Sequence, residues 1–441
     1  MSTRLRIGVV ALLVAAVAGV ATILSLPANG PSTALSTPSG QPGGSAEGSG
    51  VPTAAPTPTP RPGEGGTELY GYLPYWQVTD SMAAYLHDVP VSTLAMFSVS
   101  ARRNGAVDSR DPGYKRITSE LGRRIIADAH ARGTRVELVF TSFGGDRNGI
   151  FFGRLAAPVR NPTSSAQPSP GSSPQAVPTP SGSPLPAAPP WQRTVGDLAR
   201  LAVNLGVDGI NVDVEQLDER DRDAYGAFLV ALRTAVREFI PDGTLTVATE
   251  AGLRGIGNAL AAVEAGVDRI FLMGYDYHWS GSQPGASSPV DRSDGLYTLR
   301  WSIEQYVNAG VPRDRIVLGL PLYGMTWKTT GTDRTAPVLG KGASWILNQH
   351  QDVLLDPAFL PGRDTLEVSE FFVKPEGDAW RVTYYDSPAT LRAKLAFARD
   401  QGLAGGGFWA IGYERGLPGY LQLMRDFRDG VVRREEAPPA P

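Results

Sequence analysis

The chain has 441 residues, 42% hydrophobic and 19% charged, which is material for one large domain or two ordinary ones with a substantial core. A net charge of -3 excludes the broad basic field that nucleic-acid binding needs. Cysteine is absent, which excludes disulfides, a thiolate nucleophile and thiolate metal sites; the four histidines (His87, His130, His278, His350) lack ligand spacing, so neither a metal nor a cofactor is expected.

Arg4 and Arg6 precede an apolar run from Ile7 to Leu26, long enough to span a bilayer. Residues 1–28 are expected to be a signal peptide or a signal-anchor. Either one exports the remainder of the chain, leaving the protein secreted or, if uncleaved, held at the membrane. Residues 29–66 are rich in Pro, Gly, Ser and Thr and read as a disordered linker. Residues 431–441 read as a disordered tail.

The globular sequence, 67–430, opens with Leu69–Trp76, a strand ending in aromatics, and Thr93–Val99, a second strand. Arg116–Arg132 has helical apolar spacing, closed by Gly133. Arg135–Phe143 is the third strand. After a proline-rich tract, 158–190, which is expected to be a disordered insertion, Gln192–Leu205 reads as a helix. The fourth strand spans 207–214, and a long helix runs over Asp221–Phe239. Thr244–Thr249, Arg269–Tyr275 and Ile316–Pro321 are strands five to seven, separated by helices over 256–265 and Leu299–Ala309. Residues 322–383 read as a small α+β insertion, with Ser344–Gln351 helical and Leu366–Val373 and Ala379–Tyr385 as strands. Pro388–Gln401 is helical, Ala404–Ala410 is the eighth strand, and 419–428 forms the closing helix.

Eight strands alternating with helices predict parallel pairing through right-handed crossovers. The fold class expected is α/β: a TIM (β/α)8 barrel with a small α+β insertion between the seventh strand and its helix. Active sites of that fold lie at the strand C-termini. Trp76, Ser142, Glu215, Glu250, Tyr275, Asp276 and Trp409 fall there.

The fourth strand carries the main chemical signal. In Asp208–Glu215, apolar Ile210, Val212 and Val214 alternate with Asn211, Asp213 and Glu215. A polar row on a buried strand needs partners or costs free energy. Asp213 and Glu215 share a face with Cα atoms about 6.6 Å apart, close enough to push their pKa values apart so that one holds a proton near neutrality. That suits a general acid. A metal clamp and a structural ion-pair acceptor fit the pair alone equally well. Asp208 is out of phase with the row and reads as structural.

Several motifs together resemble one family. Asp208–Glu215 resembles the Asp-Gly-x-Asp-x-Asp-x-Glu signature of glycoside hydrolase family 18, the chitinase-like barrels. Thr141–Gly145 resembles its Ser-x-Gly-Gly motif, Leu272–Asp276 its Met-x-Tyr-Asp motif, Leu318–Gly324 its strand-seven motif, and Gly407–Ala410 its final-strand tryptophan. The runs Tyr275–Gly285 and Tyr384–Ser387 resemble the bacterial spore-germination and cortex-lytic branch.

The resemblance implies a glycosidase acting on β-1,4 bonds of an N-acetylglucosamine-containing polysaccharide, peptidoglycan before chitin, by substrate-assisted retention. Glu215 is then the acid and base, Asp213 holds the substrate's acetamide N–H, and Tyr275 donates to the acetamide oxygen. Trp409 floors the sugar, and Asp276, Asn211, Trp76 and Glu250 are candidate binding residues. Asp276 reads equally as a loop cap, Glu250 as a salt-bridge partner, and His278 as a hydrogen-bonded loop residue. Tyr72, Trp76 and Trp327 read as core or rim aromatics. The departure is Asn211, where the family pattern has aspartate; an amide there cannot take up charge. The alternative is a non-catalytic, lectin-like glycan-binding barrel, against which stands the retained Glu215. Monomeric action is expected, with no nucleic-acid partner.

Overall fold

The computed structural model describes residues 67–156, 188–295 and 297–432. The N-terminal apolar segment, the linker, most of the proline-rich tract and the tail from residue 433 lie outside the described residues.

In chain order the barrel elements are β1 (Glu68–Pro74), α1 (Asp80–Leu86), β2 (Thr93–Ser100), α2 (Pro112–Ile117), α3 (Glu120–Ala131), β3 (Arg135–Phe143), α4 (Gly145–Phe151), α5 (Trp191–Leu205) and β4 (Gly209–Glu215). They continue with α6 (Arg222–Phe239), β5 (Thr244–Glu250), α7 (Leu253–Glu264), β6 (Arg269–Met273), α8 (Leu299–Asn308) and β7 (Ile316–Pro321). An insertion then supplies β8 (Tyr323–Thr329), β9 (Ala343–Ile346), α9 (Gln351–Leu354), β10 (Gly362–Asp364), β11 (Ser369–Glu376) and β12 (Ala379–Tyr385). The chain returns to the barrel with α10 (Pro388–Asp400), β13 (Gly405–Trp409) and α11 (Tyr420–Arg428).

Eight parallel strands close in the order β1-β13-β7-β6-β5-β4-β3-β2, the expected (β/α)8 barrel. The five insertion strands form a separate antiparallel sheet in the order β10-β11-β12-β8-β9. The alternation of β4 decides what each face meets. Ile210, Val212 and Val214 enter the shell between strands and helices, with Leu198 of α5 and Leu229 of α6. The opposite faces of the strands fill the barrel interior with Tyr70, Tyr72, Ala95, Phe97, Val139, Ala248, Phe271 and Val317.

Several expectations are corrected. The helix read across Arg116–Arg132 is two helices, because the Ser119 hydroxyl accepts the Gly122 N–H at 3.2 Å and starts α3 anew. Ser344–Gln351 is not helical: Ala343–Ile346 pairs along β8, with Trp345 opposite Gly324, and only a 3-10 turn and the short α9 come after it. β8 was hidden by its proximity to β7, from which Leu322 alone separates it. At the C-terminal end, Val432 is fully buried, so the folded chain passes the expected boundary at 430.

Candidate active site

The polar row of β4 climbs the barrel interior. Asn211 lies opposite Val139 and Thr246, and Asp213 opposite Thr141 and Ala248. Glu215 ends the strand beside Phe143, at the barrel mouth. The strand end is pinned from both sides. Asn148 of α4 donates its amide to the Glu215 carbonyl at 2.7 Å and accepts the Ser142 hydroxyl at 2.7 Å. Gln216 turns into the left-handed region (φ 57°), and its N–H donates to Glu250 Oε1 at 3.0 Å. These bonds hold the Glu215 backbone before any ligand arrives.

The electrostatics come from burial. Asp213 is pushed up to about 7, chiefly by burial and then by the charge of Glu250. Glu215 is raised well above the carboxylate range by burial, then by Asp213, Glu250 and Asp276. Four carboxyls crowd one cleft, and among the described residues no cation pairs with Asp213 or Glu215, so both are shifted toward their protonated forms. Asp213 Oδ1 is buried and has no hydrogen-bond partner among the described residues. An acceptor left open at the base of a cleft suits a ligand N–H.

Tyr275 lies two residues past the end of β6, its phenol raised by burial first and then by Tyr72 and Tyr323. Asp276 is left-handed (φ 59°) and receives the Tyr323 hydroxyl at 2.5 Å and the Ser287 hydroxyl at 3.5 Å, while its own N–H donates to Ser287 Oγ at 3.0 Å. It thus joins its loop to the first insertion strand and also opens on the cleft. Trp409 ends β13. Its ring meets Phe97 edge-on at 4.7 Å, Tyr72 at 5.6 Å and Trp76 at 6.4 Å. Trp76 is 44% exposed, an aromatic rim beside that floor.

The structure therefore gathers Asp213, Glu215, Tyr275, Asp276, Glu250, Trp409 and Trp76 around one mouth. Asn211 is the exception among the candidate binding residues. It is fully buried, one layer below Asp213, and donates to the hydroxyls of Tyr70 and Tyr72 at 2.9 Å each. It meets tyrosines rather than a substrate, because Asp213 stands above it on the same face. Glu250 is a salt-bridge partner, pairing with Arg254 at 3.5 Å, and its Oε1 also accepts the Gln216 N–H. Trp327 is wholly buried and donates to the Trp279 carbonyl at 3.3 Å, a core residue. His278 is buried with Nδ1 on the Gln283 carbonyl at 2.8 Å. Asp208 is structural, accepting the Val136 N–H at 2.7 Å and facing His130 at 2.9 Å.

Sequence reasoning missed Glu137, Tyr70, Asn148 and Tyr323. A lone carboxylate in the apolar strand Arg135–Phe143, in phase with Val139 and Thr141, was the available signal for Glu137.

A closed parallel barrel with crowded, proton-retaining carboxyls at the end of its fourth strand and aromatics on the sixth and last defines the class: a (β/α)8 barrel with its candidate active site on the C-terminal face. The chain belongs to the glycosyl hydrolases family 18, whose sequence profile matches residues 68–414. It is 28% identical over 263 residues to Endochitinase 1 of Metarhizium robertsii, covering 54% of this chain and 60% of that protein. It is 24% identical over 228 residues to the cortical fragment-lytic enzyme of Bacillus anthracis, covering 49% of each. The matches thus span about half the length of these curated relatives. Among solved structures, the spore cortex-lytic enzyme SleL of Bacillus cereus superposes with a TM-score of 0.59 at 19% identity, covering 82% of this chain and 74% of that one. The family 18 chitinase of Cycas revoluta in complex with (GlcNAc)3 superposes with a TM-score of 0.64 at 19% identity, covering 82% and 99%. These likenesses are of fold.

Proposed function

We propose that the protein is a retaining glycosidase that cleaves β-1,4 bonds next to N-acetylglucosamine, with peptidoglycan as its substrate ahead of chitin. The observation that carries the reading is the pair on one row of β4, Asp213 buried and Glu215 half-buried at the barrel mouth, both raised toward protonation. Glu215 at the mouth donates its proton to the glycosidic oxygen as that bond breaks. The substrate's acetamide oxygen forms the new bond to the anomeric carbon and gives an oxazolinium ion. Asp213, with an open buried oxygen, receives the acetamide N–H and offsets the growing positive charge. Tyr275 donates to the acetamide oxygen and keeps it in line. Water then attacks the anomeric carbon as its bond to the acetamide oxygen breaks and the acetamide is restored, Glu215 takes the water's proton, and two inversions leave the configuration retained.

Two observations favour peptidoglycan. One is the likeness to a cortical fragment-lytic enzyme. The other is a pocket of about 510 Å3 beside the β3 end, lined by Arg102, Arg103, Arg110 and Arg147 against Asp108 and Asp146. Peptidoglycan carries carboxylates on its lactyl and peptide substituents, whereas chitin is neutral. A cationic pocket on the catalytic face complements the first and gains nothing from the second. The apolar run Ile7–Leu26 after Arg4 and Arg6 supports export to where such a polymer lies.

The test is product analysis on purified peptidoglycan and on chitin oligosaccharides, comparing wild type with Glu215→Gln. Reducing ends from wild type and none from the variant are expected. Binding of either glycan without cleavage by wild type would move the protein to the lectin-like reading.

A further inference from the structure

Beneath the carboxyl pair lies a buried hydrogen-bond chain that the proposed reaction does not use. Glu137 of β3 is buried on the barrel floor, facing inward. Its Oε2 accepts the Tyr70 hydroxyl at 2.6 Å, and its Oε1 accepts the hydroxyls of Thr244 and Thr246 at 2.7 and 2.9 Å. Tyr70 in turn accepts the Asn211 side-chain amide at 2.9 Å, and Tyr72 accepts the second amide hydrogen at 2.9 Å.

The order of donors is dictated by chemistry. A phenol has one proton. Tyr70 spends it on Glu137, so the atom of residue 211 that faces Tyr70 must be a donor. The amide of Asn211 is therefore held one way round, with both hydrogens on the tyrosines and Oδ1 left over. Oδ1 is buried and unpartnered among the described residues, and so is Oδ1 of Asp213, two residues on along the same row. Two dry acceptors in one row are costly unless a proton lies between them. Protonation of Asp213, two residues along the same row and pushed up to about 7, supplies such a proton.

We infer that Glu137 is a positioning residue which, through Tyr70, locks the Asn211 amide as the acceptor for Asp213 and so compensates for the missing carboxylate at position 211. The inference rests on the proposed function for its kinetic consequence only. Aspartate at 211 would have two equivalent oxygens and would need no lock. Asparagine has two unlike ends, and only one of them receives a proton. Three donors converge on Glu137, which is the arrangement of an ionised carboxylate, while burial and the charge of Glu68 push it up to about 7. The charges around it are Glu68 with its partner Arg269 at 2.7 Å, and Arg135, which donates to Thr244 at 3.2 Å; the phenols of Tyr70 and Tyr72 lie above. Loss of the Glu137 charge frees Tyr70 to turn and the amide to flip.

The experiment compares wild type, Glu137→Gln, Tyr70→Phe, Asn211→Asp and the double variant Glu137→Gln/Asn211→Asp. Hydrolysis of peptidoglycan and of a chitin oligosaccharide is measured against pH. Glu137→Gln is expected to lower kcat about tenfold with KM changed less than twofold, and to move the acid limb to lower pH. Tyr70→Phe should reproduce the loss of kcat. In the Asn211→Asp background the Glu137→Gln change should cost less than twofold. An equal tenfold loss in both backgrounds, or an unchanged pH profile in Glu137→Gln, overturns the lock. Melting temperatures at pH 8 give a readout free of activity. Asn211→Asp puts a second carboxyl into a dry network, so it should be markedly less destabilising when Glu137 is already Gln. Additive melting shifts also overturn the lock. If the wild type cleaves neither glycan, the function reading fails while these melting shifts still decide the inference.

Discussion

Asp213 and Glu215 differ by one layer of the barrel, and that layer separates their chemistry. Asp213 is enclosed and offers an oxygen without a partner among the described residues, whereas Glu215 stands at the mouth with its backbone fixed by Asn148 and Gln216 held against Glu250. On the proposed mechanism, proton transfer to a leaving oxygen falls to the carboxyl nearer the mouth, which is Glu215. Replacing it with glutamine keeps the volume and removes the transferable proton. The expected loss is roughly 10^2–10^4 in kcat with glycan affinity retained. Product formation by the glutamine variant at the wild-type rate would remove Glu215 from the acid role. Both carboxyls were legible in the sequence because strand alternation alone puts residues 213 and 215 on one face. Asn211, in the same alternation, was legible as a member of the row but not as a buried one. Its distance from the mouth depends on where seven other strands end.

Loops after the strands build the two walls of the mouth. On one side, Arg103 lies just past β2 and Arg147 lies in α4, and both line the cationic pocket. Replacing both by alanine should lower the rate on peptidoglycan several-fold and leave a neutral chitin oligosaccharide within twofold of wild type. An equal loss on both glycans would show that the pocket supports the fold rather than choosing the substrate. On the other side, buried charges tie the insertion to the barrel. Lys394 of α10 is fully buried and donates to Asp386 at 2.5 Å and to Ser288 at 2.8 Å. Glu367 pairs with Arg334 and accepts the Ala286 N–H at 2.7 Å, holding the loop after β6. Lys394→Ala would leave Asp386 buried with its strongest partner gone, at a cost of about 3–5 kcal/mol. Chemical denaturation measures this directly, and a loss below about 1 kcal/mol would contradict the pairing. None of these partners was readable from sequence. Lys394 sits in an amphipathic helix, where a lysine ordinarily faces water, and only the packed loop shows that it faces inward.

Among the described residues, several buried carboxyls have pKa values raised toward neutrality. Asp213, Glu137 and Glu414 are each pushed up to about 7, mainly by burial. A folded-state pKa above the unfolded value adds stability that is complete below the unfolded value, near 4, and is lost as pH rises through about 7. The depressed carboxyls, Asp108, Glu367, Glu376 and Asp426 among them, act in the opposite sense and only at lower pH. Between pH 5 and 8 the raised group therefore dominates. The melting temperature is expected to fall across that window by several degrees, for a loss on the order of a few kcal/mol. A flat or rising profile would show that water or counter-charges relieve the buried groups.

The barrel, the order of its strands and the row on β4 were all legible from local pattern. They come from periodicities of two and 3.6 residues and from helix stops such as Gly206, each of which acts over one element at a time. The insertion's place after β7 was legible too, although not that Ala343–Ile346 is a strand, since edge pairing with β8 overrides local preference there. Which inward residues share a layer was left to the packed molecule. Tyr70 lies 67 residues before Glu137 and 141 before Asn211, and the three meet because barrel closure brings β1, β3 and β4 to one axis. Strand phase belongs to the residue and its neighbours, whereas depth in the barrel belongs to the closed sheet.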